Sequence, residues 1–533
     1  MKTWAALVAL TLPLFAGGPL RTGFERLHVK DNRLVLRLAR TVHLPGGETG
    51  VDPRESAASV HAAMIYAARE WTRAGKAAVA IDIEFTDNTK AELTGENVVT
   101  FTDTEPFDSG VCSKAGYIAC TMLAYSRETG EIQAVSIAFN PYMRHSSIGM
   151  TGAHDIGAVM LHEVGHALGL EHSASMDSAM SAFVEIAGAT QSTSFAQRRI
   201  STDDQWSLAE VYPLADQAQV MSRITGRVLV DGAPAGGVHV LAVDANGGAA
   251  RSTLTAPDGS YSLLVEAGEY KLVAEPLDGP VRPVHFTQPP ETAPAFRTVF
   301  WTAAGGALRG GEPVTVAAGE VRGGIEFQAQ SGRAANIESI GLVDARGNYL
   351  GFGRVLVGRG QEYTIGVTRT PAEGNPALDF TQAKVVINGS PTVPSKAPQL
   401  VRQKIRIPED VTPGAWSVYY RDDDSASLMA GSFIVVTSPS VTEIKPGEGR
   451  QLSITGTDLA AGEVIAERPS EDLPWPTQLG GIAVRIGDRF APIQRVSPTE
   501  IVVEIPQGLT GDEAEVVVIS GPVSQSKTLS IKL

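Results

Sequence analysis

The chain has 533 residues, and this length predicts several domains. A net charge of −15 disfavours nucleic acid as a partner, and an acidic, solvated surface accounts for it. Hydrophobic residues make up 43% and charged residues 19%, which is ordinary for globular proteins, while 55 glycines and 32 prolines favour short strands joined by turns.

The N-terminus has the pattern of a secretory signal. Lys2 is followed by an apolar run, Trp4–Ala16, and then by small residues at Gly17 and Gly18. The run is too short for a comfortable membrane span, so we predict a signal peptide at residues 1–18. No second apolar segment of about 20 residues follows, so the sequence predicts no transmembrane anchor. We therefore expect a secreted protein, either extracellular or periplasmic.

The next elements predict an α+β domain. Leu34, Leu36 and Leu38 alternate with polar residues inside Leu27–His43, which favours a strand. Pro53–Arg73 has apolar residues at spacings of three and four, which predicts a helix. Further strands are predicted by alternating runs at Val79–Thr86, Asn97–Phe101, Tyr117–Tyr125 and Glu131–Phe139.

The chain contains two cysteines, Cys112 and Cys120, eight positions apart. In an exported protein such a pair most simply forms a disulfide that closes a small loop. We therefore predict a Cys112–Cys120 disulfide bond.

The clearest chemical signal is the stretch HEVGHALGLEH, from His162 to His172. His162 and His166 are four residues apart, so on an α-helix both imidazoles lie on one face and can reach one metal ion. Glu163 lies about 100° further round the helix, where it can face a water molecule on that ion. This pattern predicts a metal site with a general base beside it.

The end of the stretch explains how a third ligand reaches the metal. Gly169 tolerates a positive φ, so it can end the helix and turn the chain until His172 faces the ion. Three neutral histidines leave the fourth zinc position open, as a catalytic site requires. We expect the helix to begin near His154, with Asp155 as its N-cap. The alternative is a helix with histidines on a half-buried face.

With Ser173 included, this stretch resembles the metzincin metallopeptidases and, within them, the matrixins. The resemblance implies a methionine in a turn beneath the metal, eight residues past the third histidine. Met180 occupies that position, and Met176 is a nearer competitor. Matrixins usually have Leu-Met-Tyr-Pro at this turn, whereas this chain has Ala-Met-Ser-Ala at 179–182, so the pocket wall departs from the family pattern.

The resemblance extends to residues 200–213, where two adjacent acids precede a short helix like the final matrixin helix. It therefore covers about Leu27–Pro213. In this family the substrate lies antiparallel to an edge strand above the metal, a form of β-addition. By chain order, Ala119–Tyr125 is our candidate for that strand, and an ordinary strand inside the sheet is the alternative.

The resemblance to matrixins does not extend to two further features of that family. The family carries structural zinc and calcium, but the His-Gly-Asp pattern is absent here. Asp103, Glu105 and Asp108 could hold calcium, but the sequence favours a solvated loop there. Matrixin propeptides block the zinc with an upstream cysteine, but no cysteine precedes Cys112, so we predict no such switch.

From residue 224 onward the pattern becomes purely β. Alternating runs resemble a carboxypeptidase regulatory-like sandwich at 223–330. We predict an immunoglobulin-like sandwich at 336–437, and 439–533 resembles an IPT/TIG-like sandwich. The predicted fold is thus multidomain: an α+β matrixin-like catalytic domain at 19–213, with a mixed sheet and an active-site helix, followed by all-β sandwich domains.

The sequence therefore predicts an exported zinc-dependent endopeptidase that acts on a protein or peptide substrate. His162, His166 and His172 would hold Zn²⁺, Glu163 would act as general base, and Met180 would form an apolar floor. The β-domains would tether the enzyme to a surface, a polymer or a large protein, as in an extracellular matrix. The alternative is an extracellular binding or adhesion protein with an inactive or auxiliary peptidase-like domain. Hydrolysis of a non-peptide substrate at the same zinc also remains open.

Overall fold

A computed structural model describes residues 18–22, 25–44, 50–51, 55–73, 75–147, 152–182, 198–215, 221–288, 293–333, 335–350, 353–369, 374–466, 473–520 and 525–532. The predicted signal peptide lies outside these residues apart from its last position. The α-helices of the described residues are α1 (Ala57–Arg73), α2 (Glu105–Asp108), α3 (Ile156–Ala167) and α4 (Thr202–Val211). Within the described ranges, no helix is both long enough and apolar enough to cross a membrane.

The first part of the chain, which we call the α+β region (residues 18–215), is built on a six-stranded mixed sheet. The strands of the whole α+β region are β1 (Arg21–Thr22), β2 (Glu25–Arg26), β3 (His28–Val29), β4 (Arg33–Ala39), β5 (Gly50–Val51), β6 (Ala80–Thr86), β7 (Val98–Thr100), β8 (Ala119–Tyr125), β9 (Glu131–Phe139), β10 (Arg144–Ser146) and β11 (His154–Asp155). The sheet order is β3-β9-β7-β4-β6 with parallel pairing, and β8 pairs antiparallel with β9. The predicted mixed sheet is therefore present.

The core of this region lies between the sheet and two helices. The alternating leucines of β4 are buried, and they share one hydrophobic cluster with residues of α1 and α3. Trp71 at the end of α1 is fully buried, and its indole Nε1 donates to the carbonyl of Leu161 on α3 at 2.8 Å. Helix α3 is thus held against α1 at the centre of the region.

Two element boundaries differ from the prediction. The helix predicted from Pro53 begins at Ala57, since the hydroxyl of Ser56 accepts the backbone N–H of Ser59 and caps the helix there. The long strand predicted from Leu27 is interrupted by a short turn. Asp31 and Asn32 have φ values of 52° and 54°, which a strand does not accommodate.

The predicted disulfide is confirmed. Cys112 and Cys120 are bonded, with their Cα atoms 6.2 Å apart. Cys120 lies on β8 and Cys112 in the loop before it, and Cys112 is fully buried. The bond therefore ties this loop to the edge of the sheet.

The second region (residues 222–329) contains two packed sheets. Its strands are β12 (Ser222–Val230), β13 (Ala233–Pro234), β14 (His239–Asp244), β15 (Ala249–Leu254), β16 (Ser260–Val265), β17 (Gly268–Glu275), β18 (Val299–Phe300), β19 (Pro313–Val316) and β20 (Val321–Ala329). One sheet has the order β13-β12-β16 with β20 beside β12, and the other has β15-β14-β17-β18 with β19 beside β17. They enclose one hydrophobic cluster, as in a β-sandwich.

The third region (residues 337–435) repeats this arrangement with sheets β22-β21-β24-β27-β26 and β23-β29-β28-β25 around its own cluster. Its strands are β21 (Ile337–Val343), β22 (Tyr349–Leu350), β23 (Val355–Val357), β24 (Glu362–Arg369), β25 (Ala377–Phe380), β26 (Val386–Thr392), β27 (Leu400–Arg406), β28 (Gly414–Arg421) and β29 (Ala426–Val435).

The fourth region (residues 440–532) has sheets β30-β31-β37-β36-β32 and β33-β34-β38-β39, with β35 beside β34. Its strands are β30 (Ser440–Pro446), β31 (Gln451–Thr457), β32 (Val464–Ile465), β33 (Gln478–Leu479), β34 (Ile482–Ile486), β35 (Arg489–Phe490), β36 (Ile493–Val496), β37 (Glu500–Glu504), β38 (Glu513–Ile519) and β39 (Leu529–Lys532). The chain after the α+β region is therefore all-β in its described part, while the predicted domain limits stay predictions.

Candidate metal centre

Helix α3 carries the first half of the motif, and its start is fixed by a cap. Asp155 is the N-cap, and its Oδ1 accepts the backbone N–H of Ala158 at 2.8 Å, as predicted. Arg198 binds the same carboxylate through Nε at 2.6 Å and through a second guanidinium nitrogen at 2.8 Å. The cap therefore sets where the helix begins.

The end of α3 requires glycine. Gly169 has φ = 86°, and a Cβ there would lie 2.3 Å from the carbonyl oxygen of Leu27. Both the positive φ and the close approach of the Leu27 backbone exclude a side chain at Gly169. The turn brings His172 back toward α3, as the spacing predicts.

The three motif histidines meet at one point. The Nε2 atom of His172 lies 3.1 Å from Nε2 of His162 and 3.1 Å from Nε2 of His166. A tetrahedral zinc ion with bonds of about 2.0–2.1 Å places its ligand atoms roughly 3.3–3.4 Å apart. The three side chains therefore fit a zinc ion. In the described part of the chain, this is the one group of three or more potential metal ligands that converges in this way.

The opposite ring nitrogens fix the tautomer. Each histidine's Nδ1 lies within hydrogen-bond distance of a backbone carbonyl, and those carbonyls belong to Ala179, Leu170 and His285 for the three ligands in chain order. A carbonyl only accepts hydrogen bonds, so each Nδ1 carries the proton and each Nε2 presents a lone pair. The site is thus arranged for a metal before one binds.

Burial keeps these ligands neutral. It lowers the pKa of His162, His166 and His172 from 6.5 to about 3, and the neighbouring histidines add to the effect. Neutral imidazole is the form that binds zinc. The site is therefore ready for a metal across the neutral pH range.

Glu163 lies beside the histidines and contacts the edge of the sheet. Its Oε2 accepts the hydroxyl of Thr121 on β8 at 2.5 Å. Burial raises the pKa of Glu163 from 4.5 to about 7, and the bonds from Thr121 oppose part of that rise. Among the described residues β8 pairs only with β9, so it is an edge strand at the site, as the chain order predicts.

Met180 lies directly against the back of α3. A Cβ built on Gly165 would fall 2.2 Å from the sulfur of Met180, so the helix and this methionine are in close contact. Met176 lies elsewhere, in an apolar cluster with Val281 and Phe286 of the second region. The contacts thus favour Met180 over Met176 as the residue beneath the helix that bears two of the ligands.

Sequence reasoning missed the residue that holds this turn. The buried carboxylate of Asp204 accepts the backbone N–H of Ala179 at 2.7 Å and that of Met180 at 3.2 Å. The carbonyl of Ala179 in turn accepts the Nδ1 of His162. The sequence signal was the pair of adjacent acids, Asp203 and Asp204, which was predicted to precede the final helix. In the structure both acids lie in the first turn of α4.

The acids predicted to offer calcium have other partners. Asp103 accepts the Lys90 ammonium at 2.9 Å and the backbone N–H of Ala91 at 2.8 Å. Asp108 accepts Lys114 and Tyr142. Together with Glu105 they do not form a group of converging ligands in the described residues, and calcium binding there stays a prediction.

Two parts of the chain match sequence models of known protein families. A sequence model of the matrixin family matches residues 53–213, and one of the IPT/TIG domain matches residues 435–531. These matches agree with the resemblances inferred at both ends, although the matrixin match begins later than Leu27. No curated protein sequence matches the chain.

Solved structures show only weak likeness. A Bacteroides ovatus mixed-linkage glucan utilization locus protein, SGBP-B, is 14% identical over 56% of this chain and 60% of its own, with a TM-score of 0.16. Domains 4–9 of the surface layer protein SbsC are 12% identical over 56% and 38%, with a TM-score of 0.12. Bovine butyrophilin is 8% identical over 36% and 98%, with a TM-score of 0.19. The chain spans less than two thirds of the first two, and scores this low carry no argument about fold or function.

Proposed function

We propose that the protein is an exported zinc-dependent endopeptidase. One observation carries the proposal: Nε2 of His172 lies 3.1 Å from Nε2 of both His162 and His166. The buried Glu163 lies on α3, the helix that bears the first two of these histidines. The matrixin match over residues 53–213 supports the same activity. The ligands would be His162, His166 and His172.

The chemistry would divide between the metal and Glu163. The three histidines would hold a zinc ion, which would supply a bound water with a pKa near about 7 and would polarise a substrate carbonyl. Glu163 takes the proton from the attacking water and delivers it to the nitrogen of the leaving amine. A carboxyl pKa of about 7 suits both transfers, and the Thr121 hydroxyl keeps the carboxylate in place. Met180 would supply an apolar support beneath the ligands.

The substrate would be a protein or peptide in extended form. Strand β8 lies beside the metal ligands, because its Thr121 contacts Glu163, and one of its edges has no strand partner in the described residues. A peptide can add antiparallel to such an edge through backbone hydrogen bonds. The polar groups of β8 would then hold the scissile bond over the site. The three β regions would tether this unit to a surface, a polymer or a large protein.

The test compares the purified protein with Glu163→Ala for bound zinc and for cleavage of unfolded casein or gelatin. We expect about one zinc in both proteins and cleavage by the parent alone. A parent that binds zinc and cleaves no polypeptide favours a non-peptide substrate or the binding-protein alternative. A parent that binds no zinc contradicts the metal site itself.

A further inference from the structure

We propose that the second region completes the metal centre of the α+β region, with the backbone carbonyl of His285 as the positioning group for the third ligand. This inference rests on the proposed zinc site. It makes the second region part of the catalytic unit, whereas the sequence predicts only a tethering role for the β-domains.

A direct hydrogen bond joins the third ligand to the second region. Nδ1 of His172 donates to the carbonyl of His285, which lies 113 positions later in the chain. The other two ligands are held by carbonyls of the α+β region itself. The orientation of one ligand out of three therefore depends on a different part of the protein.

A buried carboxylate of the α+β region also binds this loop. Glu171 is 2% exposed and precedes the third ligand. Its carboxylate accepts the backbone N–H groups of Thr287 at 2.9 Å, Gln288 at 2.7 Å and His172 at 2.7 Å. The Gln288 amide also donates to the carbonyl of Arg21 at 2.7 Å. The segment after His285 is thus held by two groups of the α+β region, the Glu171 carboxylate and the Arg21 carbonyl.

Apolar side chains of the same loop pack against the α+β region. Val281 and Phe286 of the second region form a buried cluster with Ala174 and Met176, which follow the zinc motif. Phe286 is 3% exposed. This cluster packs the loop against the α+β region in addition to the Glu171 contacts, so the His285 carbonyl has little freedom to move away from its histidine.

A buried ionic interface also joins the second region to the α+β region. Arg251 of the second region is 1% exposed and donates to Asp203 at 2.7 Å and to Ser207 at 2.8 Å. The Asp203 carboxylate also accepts the hydroxyl of Ser173 at 2.6 Å and the backbone N–H of Ser252 at 2.7 Å. Ser173 directly follows the third ligand. A charge network buried on both sides must stay docked to remain satisfied, so the two regions act as one body.

The consequence concerns metal affinity. Groups that orient a metal ligand through its second nitrogen typically change affinity by 10–100-fold when they are removed. Loosening the His285 loop should therefore weaken zinc binding, even though the three proposed ligands all lie in the α+β region.

The experiment measures zinc affinity of the full chain by competition with a chelator, for the parent and for Phe286→Ala. This change adds no charge and lies outside the ligand set. The matched control is Phe380→Ala, which removes the same side chain from the third region, where it packs against Phe433 with ring centroids 5.0 Å apart. Glu171→Gln is a second variant that keeps side-chain size but turns one acceptor into a donor facing N–H groups. Cobalt-substituted samples report ligand geometry through their visible spectrum.

We expect zinc affinity to fall by about 10-fold or more in Phe286→Ala and Glu171→Gln, with an altered cobalt spectrum, and to stay at the parent value in Phe380→Ala. Parent affinity and spectrum in both loop variants would overturn the inference while leaving the proposed function intact. A parent that fails to bind zinc would overturn the proposed function instead, and this inference with it.

Discussion

The contact between Met180 and helix α3 allows a sharp prediction at Gly165. Alanine there would place its Cβ 2.2 Å from the Met180 sulfur and 2.8 Å from Cζ2 of Trp71, whereas ordinary contacts begin near 3.4 Å. The sulfur and the ring are both buried, so neither can move into solvent. The helix must shift, and the adjacent ligand His166 would move with it.

The magnitude follows from two opposing terms. Overpacking of a tight core typically costs about 1–3 kcal/mol, and the short distances place this case near about 3 kcal/mol. Alanine favours a helix over glycine by about 1 kcal/mol. The net loss of unfolding free energy is therefore about 2 kcal/mol, which lowers Tm by roughly 4–8 °C for a domain of about this size. Zinc affinity should fall as well, because the ligands leave their common point.

The assay is thermal unfolding together with chelator competition for Gly165→Ala. Gly462→Ala is the matched control, because its Cβ would meet nothing within 4 Å. We expect the control to stay within about 0.5 kcal/mol of the parent. A Gly165→Ala protein that unfolds at or above the parent Tm and keeps parent zinc affinity would refute the placement of Met180 against the helix.

Three further predictions follow from the site and its surroundings. Thr121→Val removes the hydroxyl that lowers the pKa of Glu163, so the acidic limb of the pH profile of kcat/KM should move up by about one pH unit. Thr121→Ser keeps a hydroxyl and should return the limb to its parent position. An acidic limb that does not move in Thr121→Val would contradict the contact between Thr121 and Glu163. In metal-free protein the three ligand histidines have a pKa of about 3 when folded and about 6.5 when unfolded, so the unfolded state takes up protons first as pH falls. Each histidine should then cost about 2 kcal/mol of unfolding free energy at pH 5 relative to pH 7, seen as a lower Tm, and a Tm that does not change would contradict their burial. Reduction of the Cys112–Cys120 bond, which spans eight positions, should lower the unfolding free energy by about 2–3 kcal/mol, and calorimetry with and without a reductant measures it; equal Tm values would show that the loop is held by other contacts.

Much of the metal centre could be predicted from the sequence, because its determinants are local. The four-residue spacing of two histidines and the glycine at the helix end act within about two turns of helix, and the cap at Asp155 needs only its own neighbours. The structure brings these elements together as the spacing implies. The disulfide was predictable for a similar reason, since two cysteines allow only one pairing within the chain.

The groups that hold the ligands in place were not predictable. Two of the three Nδ1 partners, the carbonyls of Leu170 and Ala179, lie close in sequence, but a backbone carbonyl exists at every position and carries no signal. The third, at His285, comes from another region, and alternating strands around it indicate only a sandwich. Asp204 was visible as an acid before a helix, but its reach to the turn below the metal depends on how α4 packs. Positive φ values at Asp31 and Asn32, which break the first strand, likewise depend on tertiary context.

The central proposal is that the protein would hydrolyse peptide bonds with a zinc ion held by the three histidines and with Glu163 as the general base. The most direct measurement digests unfolded casein in ¹⁸O-labelled water with zinc-loaded parent and zinc-loaded Glu163→Gln, and reads the new C-termini by mass spectrometry. We predict new carboxylates that carry the label with the parent, and a rate at least about 100-fold lower with Glu163→Gln at equal zinc content. Equal cleavage by both proteins would contradict the role of Glu163, and no cleavage by the zinc-loaded parent would contradict the peptidase assignment.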